Sequence, residues 1–167
     1  NRDDFPMAAN DLAFKVTGYD HNGRMPAKFA TRGGGGSNVS IGLKWFGVPG
    51  AKSYALLFDD KHPVARNWVH WLVVDVPADV TEIPEGASRT AQMPASSREL
   101  ITSWDRAGYD GPQPPPGSGD HEYAATLLAL NVEKLEVAEN VSRKDFLNTV
   151  KGHTLAQASH SGWFERK

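Results

Sequence analysis

A chain of 167 residues, 40% hydrophobic and 23% charged, has the size and composition of one ordinary globular domain that buries its core unaided. A formal net charge of -2 excludes a global field that would recruit nucleic acid or an anionic membrane surface. The absence of cysteine excludes disulfide frameworks, thiolate metal sites and thiol catalysis together, and no apolar run approaches the roughly 20 residues that span a bilayer.

Glycine and proline are scattered over the whole length and no internal repeat occurs, so residues 1–167 read as a single domain. In chain order, the first conspicuous feature is Gly33-Gly34-Gly35-Gly36-Ser37. It lacks the Lys-Ser/Thr pair and the helix of a phosphate loop, and is expected to be a flexible hairpin tip. Asn38-Val39-Ser40 matches a glycosylation sequon, as does Asn140-Val141-Ser142, a pattern common by chance.

Three short apolar stretches follow: Ser53 to Phe58, Trp68 to Val76 and Tyr123 to Val132. Each is bounded by Asp, Gly or Pro and reads as a strand. The middle one is apolar on both alternating faces, as expected of a strand buried on two sides. A short helix is expected around Ser96 to Thr102. A second, from about Arg143 to Lys151, has Ser142 as N-cap, Asp145 in a capping-box-like place, Gly152 as its stop, and Phe146, Leu147 and Val150 at helical spacing. The expected class is mainly β with short peripheral helices.

Several chemistries lack their motifs. No Gly-x-Ser-x-Gly nucleophile elbow occurs, nor a His-Glu-x-x-His zinc helix. A metal site from His70, His121 and Asp59 is conceivable, but nothing local enforces it, and neither metal nor cofactor is expected. Two segments carry more. Asp59 ends one strand while His70 lies inside the next, where a carboxylate could orient and charge the imidazole. The segment Tyr109 to Tyr123 is a long Pro/Gly loop that delivers His121 and Tyr123, two apart, to one face of a strand. A rigid, irregular loop of that kind is typical of a binding site.

These residues resemble the phosphatidylethanolamine-binding protein family, which includes the Raf kinase inhibitor proteins and many bacterial relatives. The resemblance covers nearly the whole chain. It runs in family order through Asn38-x-Ser40, Leu43-x-Trp45, Ser53-Tyr-Ala-Leu, Asp59 to Pro63, Trp68-x-His70-Trp71, the Tyr109–Gly119 loop and His121-x-Tyr123. It implies a two-sheet, Greek-key, β-sandwich-like fold with short peripheral and C-terminal helices, and a small surface cavity for phosphate or phosphorylated head groups. By motif position the ligand-binding residues would be Asp59, His70, Gly111, His121 and Tyr123, with Pro63, Trp68, Tyr109 and Pro112 lining or supporting them. Two departures stand out. The family's Asp-Pro-Asp-Ala-Pro becomes Asp59-Asp60-Lys61-His62-Pro63, and its Ser-Pro-Pro-Leu becomes Ser40-Ile41-Gly42-Leu43.

The leading expectation is therefore a non-enzymatic binding module for a small anionic or phosphorylated ligand, with a regulatory role of the kinase-inhibitor kind as an analogy. An enzyme using the His, Asp and Tyr groups, a hydrolase or cyclase, is the second reading, and a protease inhibitor the third. A protein partner such as a kinase or protease, a monomeric or homodimeric state and no nucleic-acid partner complete the expectations. The start at Asn1 leaves a cytoplasmic location beside a periplasmic or secreted one reached after leader removal.

Overall fold

The computed structural model describes residues 12–167. Among them, nine strands form two sheets. The smaller joins β1 (Phe14–Thr17), β3 (Gly42–Trp45) and β6 (Glu82–Ile83), in the order β1-β3-β6. The larger contains β2 (Gly23–Arg24), β4 (Ser53–Asp60), β5 (Val69–Pro77), β7 (Arg98–Glu99), β8 (His121–Leu130) and β9 (Thr154–Phe164), in the order β2-β9-β8-β4-β5-β7. Of these strands only β2 and β9 pair in parallel.

Neighbouring strands β4 and β5 of the large sheet are buried on both faces, as their continuous apolar runs require. Along β4, Tyr54, Leu56 and Phe58 join Phe14, Leu43 and Trp45 of the small sheet in the inter-sheet core. Ala55 and Leu57 point to the opposite face, where they pack with Phe146 and Val150. Those two belong to the one α-helix among the described residues, α1 (Arg143–Lys151), which starts where its sequence signals place it: Ser142 Oγ accepts from the Asp145 amide. The C-terminal region contributes this helix alone, and β9 follows it. The other helical pieces among the described residues are 3-10 turns at Ala27–Phe29 and Pro63–Ala65.

Two local expectations are corrected. Ser96 to Thr102 is not helical: Arg98 and Glu99 pair as an edge strand with Val74 and Val73 of β5. Arg98 is held there by Asp75 and by the Leu135 and Val137 carbonyls. Nor is the tetraglycine run a hairpin tip, because it joins the Ala27–Phe29 turn to the stretch before β3 and packs against other backbone. A Cβ on Gly36 would lie 1.9 Å from the Ala27 carbonyl oxygen, and one on Gly34 would lie 2.5 Å from that of Pro112. These glycines allow the chain to approach the proline-rich loop closely.

Strand β5 is irregular near its start. Phe58 of β4 faces Trp71 and Asp59 faces Val69, so His70 is the extra residue of a β-bulge. Bulges re-aim side chains, and this one turns an imidazole out of the regular alternation of the strand.

Candidate functional site

A cavity of about 330 Å³ opens where the ends of β4, β5 and β8 meet the proline-rich loop. Its polar wall is Asp60, His70, His121 and Tyr123. Its apolar wall is Val64 and Ala65 of a 3-10 turn, Trp68, Trp104 and the loop residues Pro114 and Pro115, with Gln113 beside them.

Each polar group is fixed from behind. His121 and Tyr123 lie two apart on β8 and share its cavity face. Asp60 pairs in register with Tyr123, and its Oδ2 is 2.7 Å from His121 Nδ1. Its other oxygen accepts the His62 amide at 2.9 Å, and the His62 ring stacks on His121 with centroids 3.9 Å apart. The second nitrogen of His121, Nε2, lies 2.8 Å from Ser118 Oγ, so the loop is tied to the ring.

His70 is clamped differently. Its Nδ1 is 2.7 Å from the Asp110 carbonyl oxygen, and its own carbonyl accepts the Asp110 amide. A carbonyl only accepts, so the proton of neutral His70 resides on Nδ1. In that tautomer the Trp104 indole, 3.4 Å from the same nitrogen, is a packing neighbour and not a donor to it. Burial lowers the His70 pKa from its ordinary value, against the opposing pull of the Asp110 carbonyl and the Asp60 charge. The Asp110 side chain anchors this arrangement. Burial works against its charge, but hydrogen bonds from Arg106 and Asn38 and the Arg89 charge prevail and hold its pKa low.

Tyr123 is the unsatisfied member. Its hydroxyl is buried without a partner in hydrogen-bonding geometry. Burial, and after it the neighbouring Asp60 carboxylate, pushes the phenol pKa far up. It therefore remains a neutral phenol. No lysine or arginine is among the cavity-lining residues described.

Of the residues singled out in the sequence, His70, His121, Tyr123 and Trp68 come together around the cavity. Asp59 does not, and this is a correction with a simple cause. Successive strand residues point to opposite faces, so Asp60 follows Phe58 by two to the cavity side while Asp59 faces the helix. There it accepts from Arg143 Nε at 2.8 Å and pairs with Lys61 at 3.1 Å, which also takes Lys61 out of the site. Gly111 lies behind the wall. Its amide donates to Asn38 Oδ1, and a Cβ would sit 1.8 Å from the Phe29 carbonyl oxygen. Tyr109 is likewise buried, stacked on Phe58 with its hydroxyl donating to that same Phe29 carbonyl. Pro112 accepts the Thr31 amide, and Pro63 opens the turn whose next two residues, Val64 and Ala65, form the wall. Among the described residues no three His, Asp or Glu side chains converge as metal ligands, and the departure of Asp59 removes the His70-His121-Asp59 set.

Sequence reasoning missed Asp60, Trp104, His62 and Ser118. Strand parity counted from Tyr54 could have found Asp60. No local pattern marks Trp104, which arrives on an irregular segment.

Comparison with known proteins agrees with this architecture. Residues 16–165 match the phosphatidylethanolamine-binding protein family. The chain is 34% identical over 156 residues to a UPF0098 protein of Methanothermobacter thermautotrophicus, covering 93% of this chain and 99% of that one. It is 35% identical over 160 residues to LppC of Mycobacterium tuberculosis, named as a lipoprotein, covering 95% and 74% respectively. The crystal structure of Escherichia coli YbcL, described as a new member of the mammalian PEBP family, superposes with a TM-score of 0.85 at 30% identity over 93% of this chain and 99% of that one. The chain belongs to the phosphatidylethanolamine-binding protein family.

Proposed function

We propose that this member of the phosphatidylethanolamine-binding protein family is a binding module for a small ligand that carries an anionic head group, such as a phosphate monoester, next to an apolar body. One observation carries the reading: the Tyr123 hydroxyl, buried and without a partner, on the wall of a cavity that also holds two imidazoles. A buried polar group left unsatisfied by the protein is stabilised by a ligand that bonds to it.

The electrostatics make binding conditional on protons. Among the described residues no lysine or arginine lines the cavity, and Lys61 and Arg143 are engaged by Asp59, Arg89 and Arg106 by Asp110. Positive charge for an anion must therefore come from an imidazole. Neutral His70 carries its proton on Nδ1, so the next proton enters at Nε2, and an anion in the cavity raises the affinity for that proton. Ligand and proton bind together.

The apolar wall of Trp68, Trp104, Val64 and the prolines suits an aromatic or short alkyl group. A volume of about 330 Å³ suits a head group without its acyl chains. A phosphorylated protein, a kinase-pathway component included, would present the same chemistry on a side chain. A cytoplasmic location is retained in this reading. The lipoprotein name of LppC makes export the alternative, and cell fractionation distinguishes the two. Calorimetric titration with phenyl phosphate tests the ligand class: saturable one-to-one binding is expected below neutral pH, and no saturable heat at any pH would overturn the reading.

A further inference from the structure

The loop that closes the cavity carries a group the binding reading does not use. Ser118 lies between Gly117 and Gly119, both with positive φ (80° and 84°), so the backbone turns sharply on either side and leaves the serine half-buried. Its Oγ is 2.8 Å from His121 Nε2, and His121 Nδ1 is 2.7 Å from Asp60 Oδ2. His121 is fully buried, Asp60 is 3% exposed, and the stacked His62 ring and its amide fix the pair. A hydroxyl on one imidazole nitrogen, a buried carboxylate on the other and a glycine-flanked turn under the hydroxyl make the order nucleophile, base, orienting group. Such a constellation is recognised by geometry and not by chain order, so the lack of a Gly-x-Ser-x-Gly elbow does not exclude it.

We propose that Ser118 and His121 form an acyl-transfer site, positioned by Asp60, that hydrolyses small carboxylic esters whose apolar acyl group lies against Trp68 and Trp104. With Asp60 holding the His121 proton on Nδ1, Nε2 is free to act as base. The Ser118 hydroxyl is also 2.6 Å from the Pro115 carbonyl oxygen, and rotation about Cβ–Oγ swings its proton from that acceptor to Nε2. Ser118 Oγ then bonds to the ester carbonyl carbon as its proton passes to Nε2, and the carbonyl π pair moves to oxygen. The Gly119 amide, which has no internal acceptor among the described residues, is the donor nearest in sequence for that oxyanion. Collapse breaks the carbon–alkoxide bond, and Nε2 returns the proton to the leaving alcohol. Water, deprotonated by Nε2, attacks the acyl carbon. The second collapse breaks the Oγ–acyl bond, Oγ recovers the proton, and the carboxylic acid departs.

The test uses p-nitrophenyl butyrate and an ethoxy fluorophosphonate probe on the intact protein. The expected results are a burst of about one p-nitrophenolate per chain, probe mass on the peptide bearing Ser118, and at least about a 100-fold loss of turnover in Ser118→Ala. Ser118 sits on a half-buried turn, so its replacement spares the core. Asp60→Asn, as the positioning variant, is expected to lower kcat much more than it changes KM. Turnover of Ser118→Ala within about twofold of the parent, probe on another residue, or no probe incorporated would each overturn the proposal. The Ser118–His121 contact would then be a tether that holds the loop. Phenyl phosphate binding is measured on the same samples, so failure of the esterase assay and failure of the binding reading are separate results.

Discussion

Asp59 and Asp60 are adjacent in sequence and face opposite sides of one sheet. Asp60 lies 2.7 Å from His121 on the cavity side, while Asp59 receives Arg143 of α1 at 2.8 Å on the other. One carboxylate lines the cavity and the other joins the packing of the helix. Asp59→Ala is therefore expected to cost about 1–3 kcal/mol of stability, because it strands Arg143 and Lys61, and to change phenyl phosphate affinity much less than Tyr123→Phe does. Urea unfolding and calorimetry on the same variant check both halves.

Tyr123→Phe has the opposite signature. The hydroxyl has only the Asp60 carboxylate beside it, outside good hydrogen-bonding geometry, so its removal is expected to change stability by less than about 1 kcal/mol. If the ligand satisfies that hydroxyl, affinity falls about tenfold, roughly 1.4 kcal/mol. An unchanged dissociation constant would take Tyr123 out of ligand recognition.

Ligand affinity should depend on pH with a definite sign. Burial lowers the His70 pKa, so the free protein holds this imidazole neutral through neutral pH, and an anionic ligand favours the charged form. Affinity for phenyl phosphate is expected to rise as pH falls from about 8.5 to 6.5, above the ligand's own second pKa of about 6, with proton uptake approaching one per ligand. Titrations in buffers of different ionisation enthalpy read the uptake directly. A flat profile would contradict the coupling.

His160, remote from the cavity, should shape acid stability. Nδ1 accepts the Val16 amide and Nε2 donates to the Tyr19 carbonyl, an arrangement that suits the neutral ring only. Burial, only partly countered by the Tyr19 carbonyl, pushes its pKa down to about 4. The unfolded chain, titrating near 6.5, binds the proton first. The contribution of His160 is thus present above about pH 6.5 and is lost as pH falls towards 4, on the order of 2–3 kcal/mol. His160→Gln is expected to flatten that limb of the stability–pH curve while lowering the plateau.

Gly111→Ala tests the wall behind the cavity. The added methyl would stand 1.8 Å from the Phe29 carbonyl oxygen, and the atoms it meets are backbone atoms of Phe29 and Ala30. A loss of about 2–4 kcal/mol is expected in chemical denaturation, with weakened ligand binding as the loop shifts.

Much of the fold was legible because the relevant signals are local. Ser142, Asp145 and Gly152 marked α1 from its caps, and the doubly apolar run of β5 announced its burial. His121 and Tyr123 were legible as a pair because a spacing of two needs only a strand to share a face. The errors arose where long-range pairing decides. Asp60 replaces Asp59 through strand parity, and His70 reaches the cavity because a bulge opposite Phe58 re-aims it. Edge strand β7 exists only through pairing with β5 and the Arg98–Asp75 contact, neither visible in a two-residue segment. The tetraglycine turn is defined by backbone from Ala27 and Pro112, which the sequence places far apart.

The most direct test of the central claim is a nuclear magnetic resonance titration of the histidine side chains with phenyl phosphate at about pH 6. Six histidines are present, and His153, on the exposed β8–α1–β9 side, serves as the internal control. Binding in the cavity predicts saturable shifts of the His70 and His121 imidazole signals, movement of His70 towards its protonated form, and an unmoved His153. Saturable shifts confined to other histidines, with His70 and His121 unchanged, would contradict it.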